Sequence, residues 1–283
     1  MKQTHLPIMP SEIIEFLCAN SPSLLVDGTS GAGGHSAKLA GVLPEAKLLA
    51  FERDPDASDL LSIKFNNTNV DVFNDSYTGI PDVITENKFP MVEAALFDLG
   101  LSSTQLDSSE RGFSFRTESP LDMRFDTTSG LPASVILRRM TEKQIADVIY
   151  KFGEEGRSRV IARAIKNTRR LDTTFDLAKA VKSVVKGNPV KPLARVFQAI
   201  RIHVNSEFDH LEKMLSEMHL WTKSGCRIAV LTFHSLEDRL IKLHFRDSIH
   251  FEQFDPPWML PSKREKSDNS RARSARLRLG VRK

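Results

Sequence analysis

Three short apolar runs, Leu24-Leu25-Val26, Leu48-Leu49-Ala50-Phe51 and Ala94-Ala95-Leu96-Phe97, alternate with helix-like patterns over the first hundred residues. Runs this short, spaced by helical segments, predict βαβ units that feed a parallel sheet. After Asp98 the periodicity lapses. Residues 99–126 are rich in Ser, Asp, Arg and Gly and read as a long functional loop. From 132 to 191 the pattern is helical throughout. Thr141-Glu142-Lys143-Gln144 is a capping box opening a helix that runs through Phe152 and is stopped by Gly153, and two more helices follow over 157–169 and 174–185. Phe197, Ile200, Val204, Phe208, Leu211 and Leu215 step by three or four, which predicts one long amphipathic helix returning to the sheet. The α/β pattern then resumes with a strand over 227–233 and an N-cap at Ser235-Leu236-Glu237-Asp238. The last run, 275–282, alternates apolar and basic residues with period two, as a strand with one basic face does. The expected fold is an α/β sheet interrupted by an all-helical insertion. Residues 1–108 form its first part, 109–202 the loop and insertion, and 203–283 its second part with the basic strand.

The turn Asp27-Gly28-Thr29-Ser30-Gly31-Ala32-Gly33-Gly34-His35 follows the first strand and opens a helix, a place where glycines let the backbone approach a small ligand. The second strand ends on Glu52 and the third on Asp98, so Asp27, Glu52 and Asp98 are expected to face one crevice. A carboxylate at the end of the second strand suits a ribose diol, whose two hydroxyls need a bidentate acceptor. The dinucleotide pattern G-x-G-x-x-G fails, because Ser36 stands at its third glycine. S-adenosyl-L-methionine lacks a pyrophosphate and carries a cationic sulfonium, so a glycine turn rimmed by acids fits it better. A tight turn in an ordinary α/β protein explains this segment equally well. His234 falls at a strand's carboxyl end, where it is either a catalytic group or a hydrogen-bonded turn histidine. Gln198, Arg201 and Asn205 share the polar face of the long helix, as a solvated stripe or as a substrate contact.

With 283 residues the chain can bury a full core. Its start has no apolar core of a signal peptide and no run approaches a membrane span, so an intracellular, cytoplasmic protein is expected. Two cysteines, Cys18 and Cys226, sit among apolar neighbours and read as structural, which disfavours the thiol chemistry of carbon-5 cytosine methylation. No histidine spacing suggests zinc. The net charge of +4 is uneven, since 261–283 holds nine Lys or Arg against two acids. A basic terminus on a nearly neutral body points to a polyanionic partner, with a solvated tail as the plainer reading.

Several longer blocks are similar to the bacterial 16S ribosomal RNA cytosine N4-methyltransferases, the MraW or RsmH family. They are Asp98-Leu99-Gly100-Leu101-Ser102-Ser103-Thr104-Gln105-Leu106-Asp107, Glu110-Arg111-Gly112-Phe113-Ser114-Phe115, Pro120-Leu121-Asp122-Met123-Arg124, Phe197-Gln198-Ala199-Ile200-Arg201-Ile202, Phe233-His234-Ser235-Leu236-Glu237-Asp238-Arg239 and Asn269-Ser270-Arg271-Ala272-Arg273-Ser274. The resemblance covers nearly the whole chain. It implies a class I, Rossmann-like methyltransferase sheet with a helical substrate domain, acting on the exocyclic amine of a decoding-centre cytosine, position 1402 in the usual nucleotide numbering, in 16S rRNA of the small subunit or a late precursor. By the same resemblance Gly33, Gly34, His35, Glu52, Tyr77, Asp98 and Gln105 line the adenosylmethionine pocket. Glu52 stands where the family usually has Asp, Tyr77 where Phe is common, and Lys191-Pro192-Leu193-Ala194-Arg195 where His-Pro-Ala-Thr-Arg is usual. Asp98 and His234 are the expected catalytic residues. Arg111, Phe113, Phe115, Arg124, Arg201, Asn205, Arg271 and Arg273 are the expected RNA contacts, with Arg276 and Arg278 also meeting phosphates. An internal salt-bridge and packing network is the competing account of the four loop residues among them. Two other functions are compatible with the sequence: an adenosylmethionine enzyme with another acceptor, and a non-catalytic RNA-binding assembly factor. Oligomeric state is not legible.

Overall fold

The computed structural model describes residues 6–101 and 110–283. By internal contacts the chain divides into one unit of 1–101 with 210–283 and a second of 102–209. The return crossing lies beyond the expected 203 and falls inside a helix, Glu207–Trp221, where no breaker in the sequence marks it.

The first unit is built on seven strands: β1 (Leu24–Asp27), β2 (Lys47–Phe51), β3 (Val70–Phe73), β4 (Val92–Asp98), β5 (Thr222–Thr232), β6 (Phe251–Met259) and β7 (Arg276–Arg282). Their order is β3-β2-β1-β4-β5-β7-β6. Strands β1 to β5 run parallel, and β7 runs antiparallel between β5 and β6. Helices α1 (Pro10–Cys18), α2 (Gly34–Val42), α3 (Pro55–Lys64) and α4 (Ile80–Glu86) accompany the first half. The strands divide their side chains between two cores, as period-two geometry requires of a sheet covered on both faces. Leu25, Leu48, Ala50, Leu96 and Leu231 enter one core, and Leu24, Val26, Leu49, Phe97 and Val230 enter the other. Because the chain winds from β1 out to β3 and returns to β4, the ends of β1 and β4 meet at a topological switch point, the usual ligand crevice of such sheets.

The second unit holds α5 (Ala133–Arg139), α6 (Glu142–Gly153), α7 (Ser158–Asn167), α8 (Thr174–Val184) and α9 (Val190–Val204). The capping box at α6 is formed in both directions: the Gln144 N–H donates to Thr141 Oγ1 at 3.2 Å, and the Thr141 N–H donates to Gln144 Oε1 at 2.8 Å. The end of α6 differs from expectation. Gly153 is its last helical residue, and Glu154 takes the left-handed cap with φ 49°. Gly153 is needed for packing, since a Cβ there would lie 2.7 Å from the Arg195 carbonyl oxygen of α9.

The expected long helix is two helices, α9 and α10 (Glu207–Trp221). Asn205 ends the first and Ser206 turns left-handed with φ 48°. The apolar stepping continues through this break, so periodicity alone hides it. At α11 (Ser235–Asp247) the N-cap is His234, one residue before the expected Ser235. The basic strand β7 forms, but its basic face is turned inward on α11. Arg276 Nη1 lies 2.6 Å from Asp238, and Arg278, 4% exposed, pairs with the same carboxylate at 2.7 and 2.9 Å. Both arginines are thus paired within the fold; Arg278 is closed to phosphates, while Arg276 keeps 39% of its side chain exposed. A short helix, α12 (Lys263–Asp268), precedes β7.

Candidate active site

Asp27, Glu52 and Asp98 come together because β1, β2 and β4 are adjacent and in register, with Asp27 level with Ala50 and Leu96. The carboxylates of Asp27 and Glu52 are held by the turn that follows β1 and by the start of α2. The Ser36 hydroxyl donates to Asp27 Oδ2 at 2.5 Å, and the Gly31 N–H donates to Glu52 Oε2 at 2.8 Å. The other Glu52 oxygen accepts from the Asp54 N–H at 2.8 Å. Thr29 Oγ1 accepts from the Asp98 N–H at 2.5 Å, joining the turn to the end of β4. Ser36, which breaks the dinucleotide pattern, thus does work a glycine could not do. Neither Ser36 nor Thr29 carried a sequence signal beyond lying in the turn.

Burial raises all three acids. Glu52 is pushed up to about 7 despite its two backbone donors, with the Asp54 and Asp27 charges adding to the rise. Asp27 is raised by burial against the opposing Ser36 hydrogen bond and His35. Asp98 is raised by burial and partly relieved by His35 and Arg271. The His35 Nε2–H donates to the Ile8 carbonyl at 2.9 Å, because a carbonyl can only accept. Its Nδ1 therefore faces Asp98 Oδ2, 3.6 Å away.

The glycines act mainly by sterics. Gly33 has φ +71°, and a Cβ on it would meet Leu61 and Phe65 within 2.8 Å. A Cβ on Gly28 would lie 2.4 Å from the Phe97 ring, and Gly34 begins α2. Tyr77 stands edge-on to Phe97 and to His210, with centroids 5.9 and 6.4 Å apart. Gln105 lies outside the described residues. His234 caps α11: its Nδ1 accepts from the Glu237 N–H at 3.4 Å, and its Nε2 is 2.9 Å from Glu237 Oε1.

The residues expected to touch RNA are largely engaged within their own units. Arg111 donates to the Phe125 carbonyl at 2.5 Å, and Arg124 forms a forked pair with Asp122 at 2.8 and 2.7 Å. Phe113 is buried against Phe125, and Phe115 packs edge-on to Phe197. Arg201 pairs with Glu207 at 2.7 Å. Asn205, 2% exposed, accepts from the Phe125 N–H and donates to the Met123 carbonyl, both at 2.7 Å. Gln198, on the same stripe, donates to the Phe152 carbonyl at 3.0 Å. Arg271 donates to the Leu101 carbonyl, and Arg273 is exposed with its Nε 3.3 Å from the Lys266 carbonyl. Among the described residues no group of His, Cys, Asp and Glu could hold a metal ion, and no helix is long and apolar enough to cross a membrane.

Three acids around a glycine turn, Asp27 and Glu52 buried and Asp98 26% exposed, repel phosphate and suit a ligand that offers hydroxyl donors and a positive charge, as adenosylmethionine does. The sheet order, its reversed seventh strand and this acidic crevice define a class I, adenosylmethionine-dependent methyltransferase. The chain belongs to the MraW methylase family, whose model matches residues 2–283. It is 38% identical to the ribosomal RNA small subunit methyltransferase H of Thermosipho africanus, over 98% of this chain and 97% of that protein. The protein of the same name from Coprothermobacter proteolyticus is 37% identical over 97% and 95%. Among solved structures, an rRNA methylase from Streptococcus thermophilus superposes with a TM-score of 0.41 at 13% identity, covering 97% of this chain and 93% of that one.

Proposed function

We propose that the protein transfers a methyl group from S-adenosylmethionine to the exocyclic N4 amine of a decoding-centre cytosine in 16S rRNA, within the small ribosomal subunit or a late precursor, in the cytoplasm. The observation that carries this reading is the end-to-end similarity to relatives named as small-subunit rRNA methyltransferases. When bound, the donor supplies an electrophilic methyl group on a positively charged sulfur. Glu52 would accept from the ribose hydroxyls, and Tyr77 would lie against the adenine. Asp98 accepts a hydrogen bond from the cytosine amine, which draws the nitrogen toward the tetrahedral form that attacks.

Methylation would leave the amine with a proton to lose, and the Asp98 carboxylate is placed to take it. His35 is a positioning residue: its Nε2–H is fixed on the Ile8 carbonyl, which holds Nδ1 3.6 Å from Asp98 Oδ2, where positive charge on the ring favours the ionised carboxylate. His234 is left out of the chemistry, since both its nitrogens face Glu237. Cys18 and Cys226 give no nucleophile, as burial pushes both thiols up. The cytosine must be unpaired or flipped to reach such a crevice.

The test is methyl transfer from labelled adenosylmethionine to small subunits lacking the modification, with the RNA digested to nucleosides. The expected product is N4-methylcytidine at many turnovers per enzyme, lowered at least about a hundredfold in Asp98→Ala with donor binding retained. Donor binding without label in RNA would show that the acceptor is another molecule.

A further inference from the structure

With Arg111, Arg124, Arg201 and Asn205 engaged inside the helical unit, the charge of that unit must be sought elsewhere. It is concentrated in residues 156–171, which contain six Lys or Arg and no acid. Helix α7 buries Ile161, Ala162 and Ile165. Arg159, Arg163 and Lys166, at i, i+4 and i+7, share a different, exposed face, and Arg169 and Arg170 follow the end of the helix, also exposed. The Lys166 ammonium donates to the Arg138 and Met140 carbonyls, which brings Arg138, at the end of α5, to the same patch.

Structural pairing explains part of this array, since Arg157 pairs with Glu155 and both Arg138 and Arg170 pair with Asp172, but not Arg159, Arg163 and Arg169. Arg159 and Arg169 have no hydrogen bond or ion pair among the described residues. Arg163 reaches only Glu142 at 3.3 Å with its side chain 69% exposed, a kind of pair that contributes little. Like charges at i and i+4, as at Arg159 and Arg163, weaken a helix. Arginine outnumbers lysine five to one in the segment, and its planar fork matches phosphate oxygens in a bidentate way.

We infer that the exposed face of α7, with Arg169 and Arg170, is a docking surface for the phosphate backbone of ribosomal RNA. The surface supplies affinity rather than sequence choice, since phosphate contacts position a protein without reading bases. It extends the rRNA reading above, which names the RNA but not where it is held.

The experiment compares wild type with Arg159→Ala/Arg163→Ala/Arg169→Ala, measuring binding to unmodified small subunits and to protein-free 16S rRNA over a range of salt. As a control for bulk charge, Lys213, Lys242 and Lys263, exposed lysines of the sheet unit, are changed to Ala together. The arginine variant is expected to bind both probes at least about tenfold more weakly, with the slope of log K against log salt reduced by about 2 to 3. Its melting temperature and adenosylmethionine affinity should match wild type, and the lysine control should change far less. Equal affinity and slope for wild type and the arginine variant would overturn the surface. So would weaker binding to subunits with unchanged binding to free rRNA, which would identify a ribosomal protein as the partner. The two readings fail separately: loss of rRNA affinity in the variant, with no N4-methylcytidine made by wild type, keeps the surface and removes the proposed reaction.

Discussion

Glu52 is held against its own stability. In the unfolded chain it ionises near its ordinary 4.5, and in the fold near 7, so between these values the folded state carries the extra proton. Stability therefore falls as pH rises from about 4.5 to 7, by up to about 3 kcal/mol, and does not recover above that. Asp27 and Asp98, also raised by burial, act in the same direction. A buried carboxylate kept at this cost is explained by a ligand that needs it ionised. Adenosylmethionine affinity should thus rise about tenfold per pH unit toward 7, with proton release detected by calorimetry in buffers of different ionisation enthalpy. Glu52→Gln should abolish this dependence. Affinity independent of pH in the wild-type protein would remove Glu52 from the ribose site. The three acids were legible in the sequence because each ends an apolar run. Ser36, in the first turn of α2, and Thr29 were not, since a hydroxyl gains meaning only when a carboxylate or an N–H is brought to it.

At the scale of elements, the decisive feature is the break between α9 and α10. Asn205 brackets the loop at 123–125 with hydrogen bonds to Met123 and Phe125, and its Nδ2 also donates to the Arg201 carbonyl at 2.9 Å. Asn205→Ala should cost about 2 kcal/mol, because it strands the buried Met123 carbonyl and the part-buried Phe125 N–H. Chemical denaturation would measure that loss, and full stability combined with weakened RNA binding would instead make Asn205 a direct contact. Periodicity located most helices of this unit, and the capping box at Thr141 located the start of α6. It failed at the break, because Phe197, Ile200 and Val204 continue in step with Phe208, Leu211 and Leu215 on the far side of one left-handed residue.

For the molecule as a whole, charge could be counted in the sequence but not placed. The terminal basic strand has the composition of a phosphate-binding arm, yet β7 is an interior strand whose Arg276 and Arg278 close on Asp238 of α11. Asp238→Ala should cost about 3 to 5 kcal/mol, since it leaves the Arg278 guanidinium buried without its partner. Thermal unfolding reports this, and an unchanged melting temperature would mean that the arginines find another partner.

The sequence by itself determined the fold class, the helical insertion, the three acids at strand ends and the reaction they suit. These depend on local periodicity, on turn chemistry and on motifs contiguous in the chain. Only the tertiary structure decided which arginines are spent on carboxylates and carbonyls and which face outward, because an ion pair joins residues as far apart as Asp238 and Arg278. The exposed row on α7 emerges when those others have been accounted for.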